Sequence, residues 1–182
     1  MEIKKVIQTE LVEEIKKNIE CGTHNIGYCI VESPIVFVYK KNQIDKTTCE
    51  EMGYDVYEAC YNGGTIVGGI GSIAIIHFQK INNGWLMRFV NYFVDWLKSK
   101  GLNAEYTNND ILVDGYKVCG MCVTRYGRID YTAGFIGVNT NLDHIKAICQ
   151  KPMQKVPRGL SDYGITTEEV EKMFLDFCES EK

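Results

Sequence analysis

The chain has 182 residues, of which 45% are hydrophobic and 24% are charged, and its formal net charge at pH 7 is −4. These values are ordinary for one soluble globular domain that spans residues 1–182. The acidic balance argues against non-specific binding of nucleic acid, and the sequence has no window of about 20 apolar residues that could span a membrane.

The apolar spacing predicts helices near residues 8–20, 84–100, 141–149 and 167–178. Gly101 is expected to end the second of these helices, and Thr166 or Thr167 to cap the last one. Strands are predicted at Ile26–Val31, Ile35–Tyr39, Tyr54–Ala59 and Ile73–Phe78, and in a long pair after residue 110. We therefore expect an α/β (α+β) fold with a mixed, largely antiparallel sheet and flanking helices.

The eight cysteines lie at positions 21, 29, 49, 60, 119, 122, 149 and 178. No apolar signal core of 7–15 residues precedes them, so we expect a cytoplasmic protein whose thiols are reduced and mostly buried. Cys119 and Cys122 could form half of a zinc site, but no second closely spaced pair exists and alternate strand positions would separate them. His77 lies in an apolar run and is predicted to be a hydrogen-bonded core residue and not a base.

A glycine-rich segment at Asn62–Ser72 holds five glycines in eleven residues. Glycine lets the backbone approach a ligand closely and offer N–H groups to phosphate or carboxylate oxygens. The segment matches neither a Walker loop nor a dinucleotide-binding fingerprint. Turns and bulges within a sheet explain the glycines equally well, so the segment alone leaves both interpretations open.

A hairpin is the most informative local feature. Asp114-Gly115 between the strands Ile111–Val113 and Lys117–Arg125 is typical of a two-residue turn with positive φ at both positions. This turn brings Asp110 close to Lys117. A carboxylate can hold a divalent cation and a lysine can neutralise a phosphate or a carboxylate, although an isolated strand lysine is usually only a surface residue. We expect a pocket between residues 63–71 and the Lys117 strand, apolar at one end and polar at the other.

Two segments resemble the core of the biotin and lipoate protein ligase catalytic domain. They are residues 109–120, Asn-Asp-Ile-Leu-Val-Asp-Gly-Tyr-Lys-Val-Cys-Gly, and residues 134–142, Gly-Phe-Ile-Gly-Val-Asn-Thr-Asn-Leu. Upstream, the residues Gly-Gly-Thr-Ile-Val at 63–67 resemble the glycine-rich loop of that family. The resemblance covers about residues 10 to 178.

The resemblance implies an activity and its partners. Members of the family activate a lipoyl, octanoyl or biotinyl carboxylate with ATP and Mg²⁺ as an acyl-adenylate, or take the acyl group from a carrier. They then attach it to a lysine of a carrier protein. A lipoate-protein ligase-like enzyme acting on lipoate or biotin is therefore implied.

The resemblance also implies roles for individual residues. Lys117 matches the lysine that contacts the acyl carbonyl and the phosphate, and Asp110 matches the acidic residue beside magnesium. The remaining positions that would contact the nucleotide or the acyl group are Gly63, Gly64, Thr65, Asn109 and Gly134.

The chain departs from the family pattern at four places. The two arginines expected before the glycine run are absent from residues 57–62, Gly68 and Ala133 replace histidines, and Val156–Gly159 lacks the thiol found in one acyltransferase branch. The chain is therefore either an active ligase or a catalytically inactive member that binds an acyl ligand, a nucleotide or a protein partner. A third interpretation is a small redox or metal protein that uses Cys119 and Cys122, and the sequence favours it least.

Overall fold

The computed structural model describes residues 3–22, 24–38, 44–58, 65–80, 84–127, 129–149 and 152–181. Within these ranges the chain forms ten strands and five α-helices. The strands are β1 (Ile3–Lys5), β2 (Ile26–Ile30), β3 (Ile35–Val38), β4 (Asp55–Glu58), β5 (Ile66–Gly68), β6 (Ile73–Lys80), β7 (Ala104–Thr107), β8 (Asp110–Val113), β9 (Tyr116–Tyr126) and β10 (Ile129–Ile136). The helices are α1 (Leu11–Cys21), α2 (Lys46–Glu51), α3 (Trp85–Ser99), α4 (Leu142–Ile148) and α5 (Thr167–Ser180).

The strands form two sheets. The larger sheet has seven strands in the order β1-β2-β6-β10-β9-β8-β7, and the smaller has three in the order β4-β3-β5. The pairs β1–β2 and β3–β4 are parallel, and every other pair of neighbours is antiparallel. The predicted mixed, largely antiparallel architecture with flanking helices is therefore confirmed.

Alternation along β6 divides the core between the two faces of the larger sheet. Ile73 and Ile75 pack with α3 and α5, whereas Ala74 and Ile76 pack with α1 and one face of β3. The other face of β3 packs against α2 and α4. The molecule thus has four layers, with the smaller sheet between the larger sheet and the short helices. In the core between the larger sheet and helices α3 and α5, the largest buried side chains are Trp85, Phe89, Phe93, Phe174 and Phe177.

The helix termini follow the sequence signals. The Thr166 side chain accepts a hydrogen bond from the Glu169 N–H, and the Glu169 side chain accepts one from the Thr166 N–H, which forms a capping box ahead of α5. Gly101 follows α3 at a φ of +82°. All four predicted helices are confirmed. None of the helices in the described ranges combines the length and apolar character that a membrane span requires.

Three features of the fold differ from the sequence-based prediction. Strands β1 and β7 were not predicted, and β5 lies within the glycine-rich segment. Strands β2 and β3 follow one another in the chain but belong to different sheets. The short edge strands have three or four residues, too few for an alternating pattern to be recognised.

Candidate functional site

The predicted hairpin positions the site. Asp114 and Gly115 have φ values of +51° and +81° and connect β8 to β9. Positive φ at both turn residues matches the twist of the flanking strands. The turn therefore sets β8 beside β9 as the sequence predicts, and Asp110 pairs with Gly120 across the two strands.

A β-bulge at Val118 directs Lys117 to the same face as Gly120. Ile111 pairs with Cys119 and Leu112 pairs with Lys117, so Val118 has no partner residue on β8. Without the bulge, residues 117 and 120 would face opposite sides of the sheet. A Cβ atom on Gly120 would lie 3.0 Å from Nζ of Lys117, so glycine leaves room for the ammonium group.

Asp110 and Lys117 form an ion pair. Oδ1 of Asp110 lies 2.8 Å from Nζ of Lys117, and the two side chains are 17% and 39% exposed. The proximity predicted from the hairpin is therefore confirmed.

A second lysine, which the sequence did not indicate, joins this pair. Nζ of Lys155 lies 2.9 Å from Oδ2 of Asp110 and 2.8 Å from the backbone oxygen of Thr107. The loop that carries Lys155 lies against β9, because the Lys117 N–H donates to the Val156 oxygen at 2.9 Å and the Arg158 N–H donates to the Lys117 oxygen at 3.0 Å. No periodic pattern marks this loop, so its docking depends on contacts remote in the sequence.

A cavity of about 150 Å³ is lined by both Lys117 and Lys155. Its walls come from β5 of the smaller sheet, β9 and β10 of the larger sheet, α4 and the Lys155 loop. The cavity lies between β5 and the Lys117 strand, where the pocket was predicted, and its lining is both apolar and polar. The separation into an apolar end and a polar end stays a prediction. Gly63 and Gly64 lie outside the described residues. The polar lining residues include Thr65, Lys117, Thr140 and Lys155, and the apolar ones include Ile66, Val67, Phe135, Ile145 and Met153.

Two predicted site residues lie elsewhere in the same sheet. Asn109 sits in the β7–β8 turn at a φ of +65°, and its side-chain oxygen accepts a hydrogen bond from Tyr106 at 3.2 Å. Gly134 lies in β10, where a Cβ atom would come within 2.4 Å of Sδ of Met121. Gly134 lines a second, apolar cavity of about 20 Å³. The predicted contacts of Asn109 and Gly134 with the nucleotide or the acyl group stay predictions.

The thiols near the site are poorly disposed for nucleophilic attack. Cys119 and Cys149 line the cavity, but burial raises the pKa of Cys119 to about 12 and also raises the pKa of Cys149. A raised pKa lowers the fraction of reactive thiolate at neutral pH. Cys119 packs with α3 and α5, whereas Cys122 packs on the opposite face, which confirms their predicted separation.

His77 is a core residue, as predicted, but its hydrogen bonding differs from the prediction. The side chain is 1% exposed and its ring lies 4.2 Å from the ring of Trp85, centroid to centroid. Nδ1 of His77 has no hydrogen-bond partner among the described residues. Burial lowers the pKa of His77 to about 3, which keeps the ring neutral.

A resident magnesium ion does not fit the arrangement around Asp110. Magnesium requires near-octahedral oxygen coordination, and each carboxylate oxygen of Asp110 already contacts a lysine ammonium group. The side-chain oxygen of the neighbouring Asn109 accepts from Tyr106. Within the described ranges, no group of three or more His, Cys, Asp or Glu residues could hold a metal ion.

Comparisons with known proteins identify a family and a fold. A family model described as the lipoyl protein ligase A/B catalytic domain matches residues 7–176. No curated protein sequence matches the chain.

Several solved structures share the fold. A putative lipoate protein ligase from Thermoplasma acidophilum with bound lipoic acid has a TM-score of 0.76 at 14% identity, with 97% of this chain and 83% of that chain covered. A bipartite lipoate protein ligase with its E2 lipoyl domain, also from Thermoplasma acidophilum, has a TM-score of 0.76 at 14% identity, with coverages of 96% and 80%. A lipoate-protein ligase A bound with ATP has a TM-score of 0.74 at 14% identity, with coverages of 95% and 81%.

Proposed function

Because the chain belongs to the lipoyl protein ligase A/B catalytic-domain family, we propose that it transfers a lipoyl, octanoyl or biotinyl group to a lysine of a carrier protein. The observation that carries the proposal is a cavity lined by apolar side chains together with the two lysines Lys117 and Lys155. The similar structures add support, since they include a putative ligase with lipoic acid, a ligase with ATP and a ligase with its lipoyl domain.

The proposed reaction has two steps. The carboxylate of the acyl group attacks the α-phosphorus of ATP, which forms the acyl-adenylate and releases pyrophosphate. The amine of the carrier lysine then attacks the acyl carbon, forms an amide, releases AMP and gives up a proton. In both steps negative charge increases on oxygens next to Lys117. A fixed ammonium group there stabilises the transition state more than the ground state.

The cavity walls suit the acyl chain. Ile66 from the smaller sheet packs with Phe135 from the larger sheet. Val67, Ile145 and Met153 also line the cavity. Such a slot binds an aliphatic chain by removing apolar surface from water, at about 0.8 kcal/mol per CH₂ group. Lipoate, octanoate and biotin share this chain and a terminal carboxylate, so all three belong in the test.

A second function is favoured by one specific observation. Residues 57–62, Tyr-Glu-Ala-Cys-Tyr-Asn, lack the two arginines expected before the glycine run. A hydrogen bond to a charged group contributes about 1.5–3 kcal/mol, so the loss weakens nucleotide binding substantially. An inactive family member that binds an acyl ligand, a nucleotide or a protein partner is the alternative.

The experiment that separates the two functions is direct detection of the intermediate and the product. Wild-type protein is incubated with ATP, Mg²⁺ and lipoate, octanoate or biotin, and the acyl-adenylate is sought by mass spectrometry. A lipoyl or biotinyl carrier domain is then added and its mass is measured. Formation of an adenylate and of an acylated carrier supports the ligase. Acyl-ligand binding without either product supports the inactive binder.

A further inference from the structure

We infer that Lys155 is a second cationic residue of this site, and that Asp110 is the positioning residue that holds both ammonium groups, not a metal ligand. The inference rests on the proposed function, in which the group bound between the lysines carries a phosphate. It adds Lys155 to the site, and it replaces the magnesium role that the family resemblance implies for Asp110.

The geometry around Asp110 is that of a bridge. One carboxylate oxygen contacts Lys117 at 2.8 Å and the other contacts Lys155 at 2.9 Å. The carboxylate is 17% exposed, so it lies largely away from water and requires cationic partners. Both oxygens therefore serve to fix the two lysines, which enter from different parts of the chain.

Both ammonium groups retain donors for a ligand. An ammonium group has three N–H donors. Lys155 uses donors for Asp110 and for the Thr107 oxygen, and Lys117 uses one for Asp110. No further hydrogen-bond acceptor for either group appears among the described residues. Both lysines also line the cavity and both contact Asp110, so an anion bound beside Asp110 can accept from both lysines at once.

The charge of the cluster matches the proposed intermediate. Two lysines and one aspartate leave one net positive charge. The phosphate that joins an acyl group to adenosine carries one negative charge. The three side chains therefore neutralise the adenylate phosphate without a metal ion bound to Asp110.

The loop that carries Lys155 is held firmly against the site. The backbone pairing with Lys117 fixes Val156 and Arg158. Gly159 packs so closely that a Cβ atom would lie 2.3 Å from the Val138 oxygen. The guanidinium group of Arg158 stacks 3.6 Å from the centre of the Tyr116 ring. Lys155 is thus placed by the contacts of the residues that follow it in the chain, as a site residue must be.

Amine labelling tests the positioning role without requiring turnover. Wild type and Asp110→Asn are treated briefly with an N-hydroxysuccinimide acetate reagent, and acetylation of each lysine is measured by mass spectrometry. Labelling of Lys117 and Lys155 should rise together in the variant by about two- to fivefold, the factor that a partly exposed ion pair contributes. Asp176→Asn is the matched control, since it frees only Lys172. Unchanged labelling of Lys155 in Asp110→Asn overturns the bridge.

Binding of an intermediate analogue tests the cationic role. The probe is octanoyl sulfamoyl adenosine, which cannot be hydrolysed, and its affinity is measured by calorimetry in EDTA. Lys155→Met should weaken binding by about tenfold or more, as loss of a charge-assisted hydrogen bond predicts, whereas the exposed-lysine control Lys172→Met should not. Equal affinity of wild type and Lys155→Met overturns the inference.

The same set of proteins separates this inference from the proposed function. Wild type that fails to bind the analogue contradicts both the ligase and the anion-binding role of Lys155, and the labelling result still decides whether Asp110 holds the two lysines. If wild type forms the adenylate and Lys155→Met binds the analogue as tightly as wild type does, the ligase function is retained and Lys155 is not a residue of the site. The metal role of Asp110 is tested by electron paramagnetic resonance with Mn²⁺ in the absence of nucleotide. Wild type and Asp110→Asn should bind Mn²⁺ equally. A Mn²⁺ site that is present in wild type and lost in Asp110→Asn would show that Asp110 is a metal ligand.

Discussion

At the scale of single residues, Asp110 lies between two ammonium groups at the edge of a cavity. Partly exposed ion pairs contribute only about 0–1 kcal/mol to stability, because solvent screens them and ordering long side chains costs entropy. Lys117 is 39% exposed, so its pair belongs to this weak class. The Asp110–Lys117 pair is therefore better explained by binding than by folding.

Substituting Gly120 with alanine should reduce activity with little loss of stability. The new Cβ atom would lie 3.0 Å from Cε and Nζ of Lys117, and the flexible end of that side chain can move aside. We expect acyl-adenylate formation to fall by about tenfold or more, because a displaced ammonium group no longer meets the developing charge. The free energy of unfolding should change by less than about 1 kcal/mol.

Gly53→Ala provides the matched control for Gly120→Ala. Gly53 has a φ of +72°, and a Cβ atom there would meet nothing within 4 Å. Alanine at this φ should cost about 1–2 kcal/mol of stability while the activity is retained. The account of Gly120 is contradicted if both variants lose the same fraction of activity.

The buried His77 should make stability depend on pH. Burial is the main cause that lowers its pKa from the ordinary 6.5 to about 3, and the charge of Arg88 adds to it. Between these values the unfolded chain binds a proton that the native protein does not. Stability should therefore fall as the pH decreases from about 6.5 toward 3, by up to about 1.4 kcal/mol per pH unit.

The His77→Phe variant isolates this contribution. Urea unfolding of wild type and variant at pH 7, 6, 5 and 4 gives the free energy of unfolding for each protein. The free energy of unfolding is plotted against pH for each protein. The difference between the two slopes reports His77 alone, since the carboxylates titrate equally in both proteins. Parallel slopes would show that His77 does not titrate abnormally in the native state.

At the scale of elements, the features that were predicted correctly are those that depend on residues close together in the sequence. The Asp114-Gly115 turn and the four helices follow from residues within one element, and all were predicted. The bulge at Val118 follows from the pairing of β8 with β9, which no local pattern reveals. The docking of the Lys155 loop joins residues about forty positions apart, so Lys155 could not be assigned to the site from the sequence.

The Lys155 loop offers an element-scale test at Gly159. A Cβ atom there would lie 2.3 Å from the backbone oxygen of Val138 and 2.9 Å from the backbone nitrogen of Thr140, and neither backbone atom can easily move. Gly159→Ala should therefore cost about 1–3 kcal/mol in the free energy of unfolding, measured in urea. Lys155 should be displaced with the loop, which lowers the affinity for the adenylate analogue.

Gly164→Ala is the control for this loop. Gly164 has a φ of +76°, and its added Cβ atom would meet nothing within 4 Å. The Gly164→Ala variant should lose stability through backbone strain alone and keep its affinity for the analogue. If Gly159→Ala is as stable as wild type and binds the analogue normally, the loop is not held as described.

At the scale of the whole molecule, the cavity lies where the layers meet. The smaller sheet contributes β5, the larger sheet contributes β9 and β10, and α4 and the Lys155 loop complete the walls. The protein carries a net charge of −4, yet it places two lysines together at this junction. The local field around the cavity therefore favours an anionic ligand even though the overall charge does not.

The central claim is that the Lys117 site activates an acyl carboxylate. The most direct test is single-turnover formation of the acyl-adenylate at saturating ATP with lipoate, octanoate or biotin, compared between wild type, Lys117→Ala and the exposed-lysine control Lys172→Ala. Wild type and Lys172→Ala should form the adenylate at equal rates, and Lys117→Ala should be slower by a factor of about 10² or more with its fold intact. Equal rates in all three proteins, or no adenylate from wild type with any of the three acids, would contradict the account.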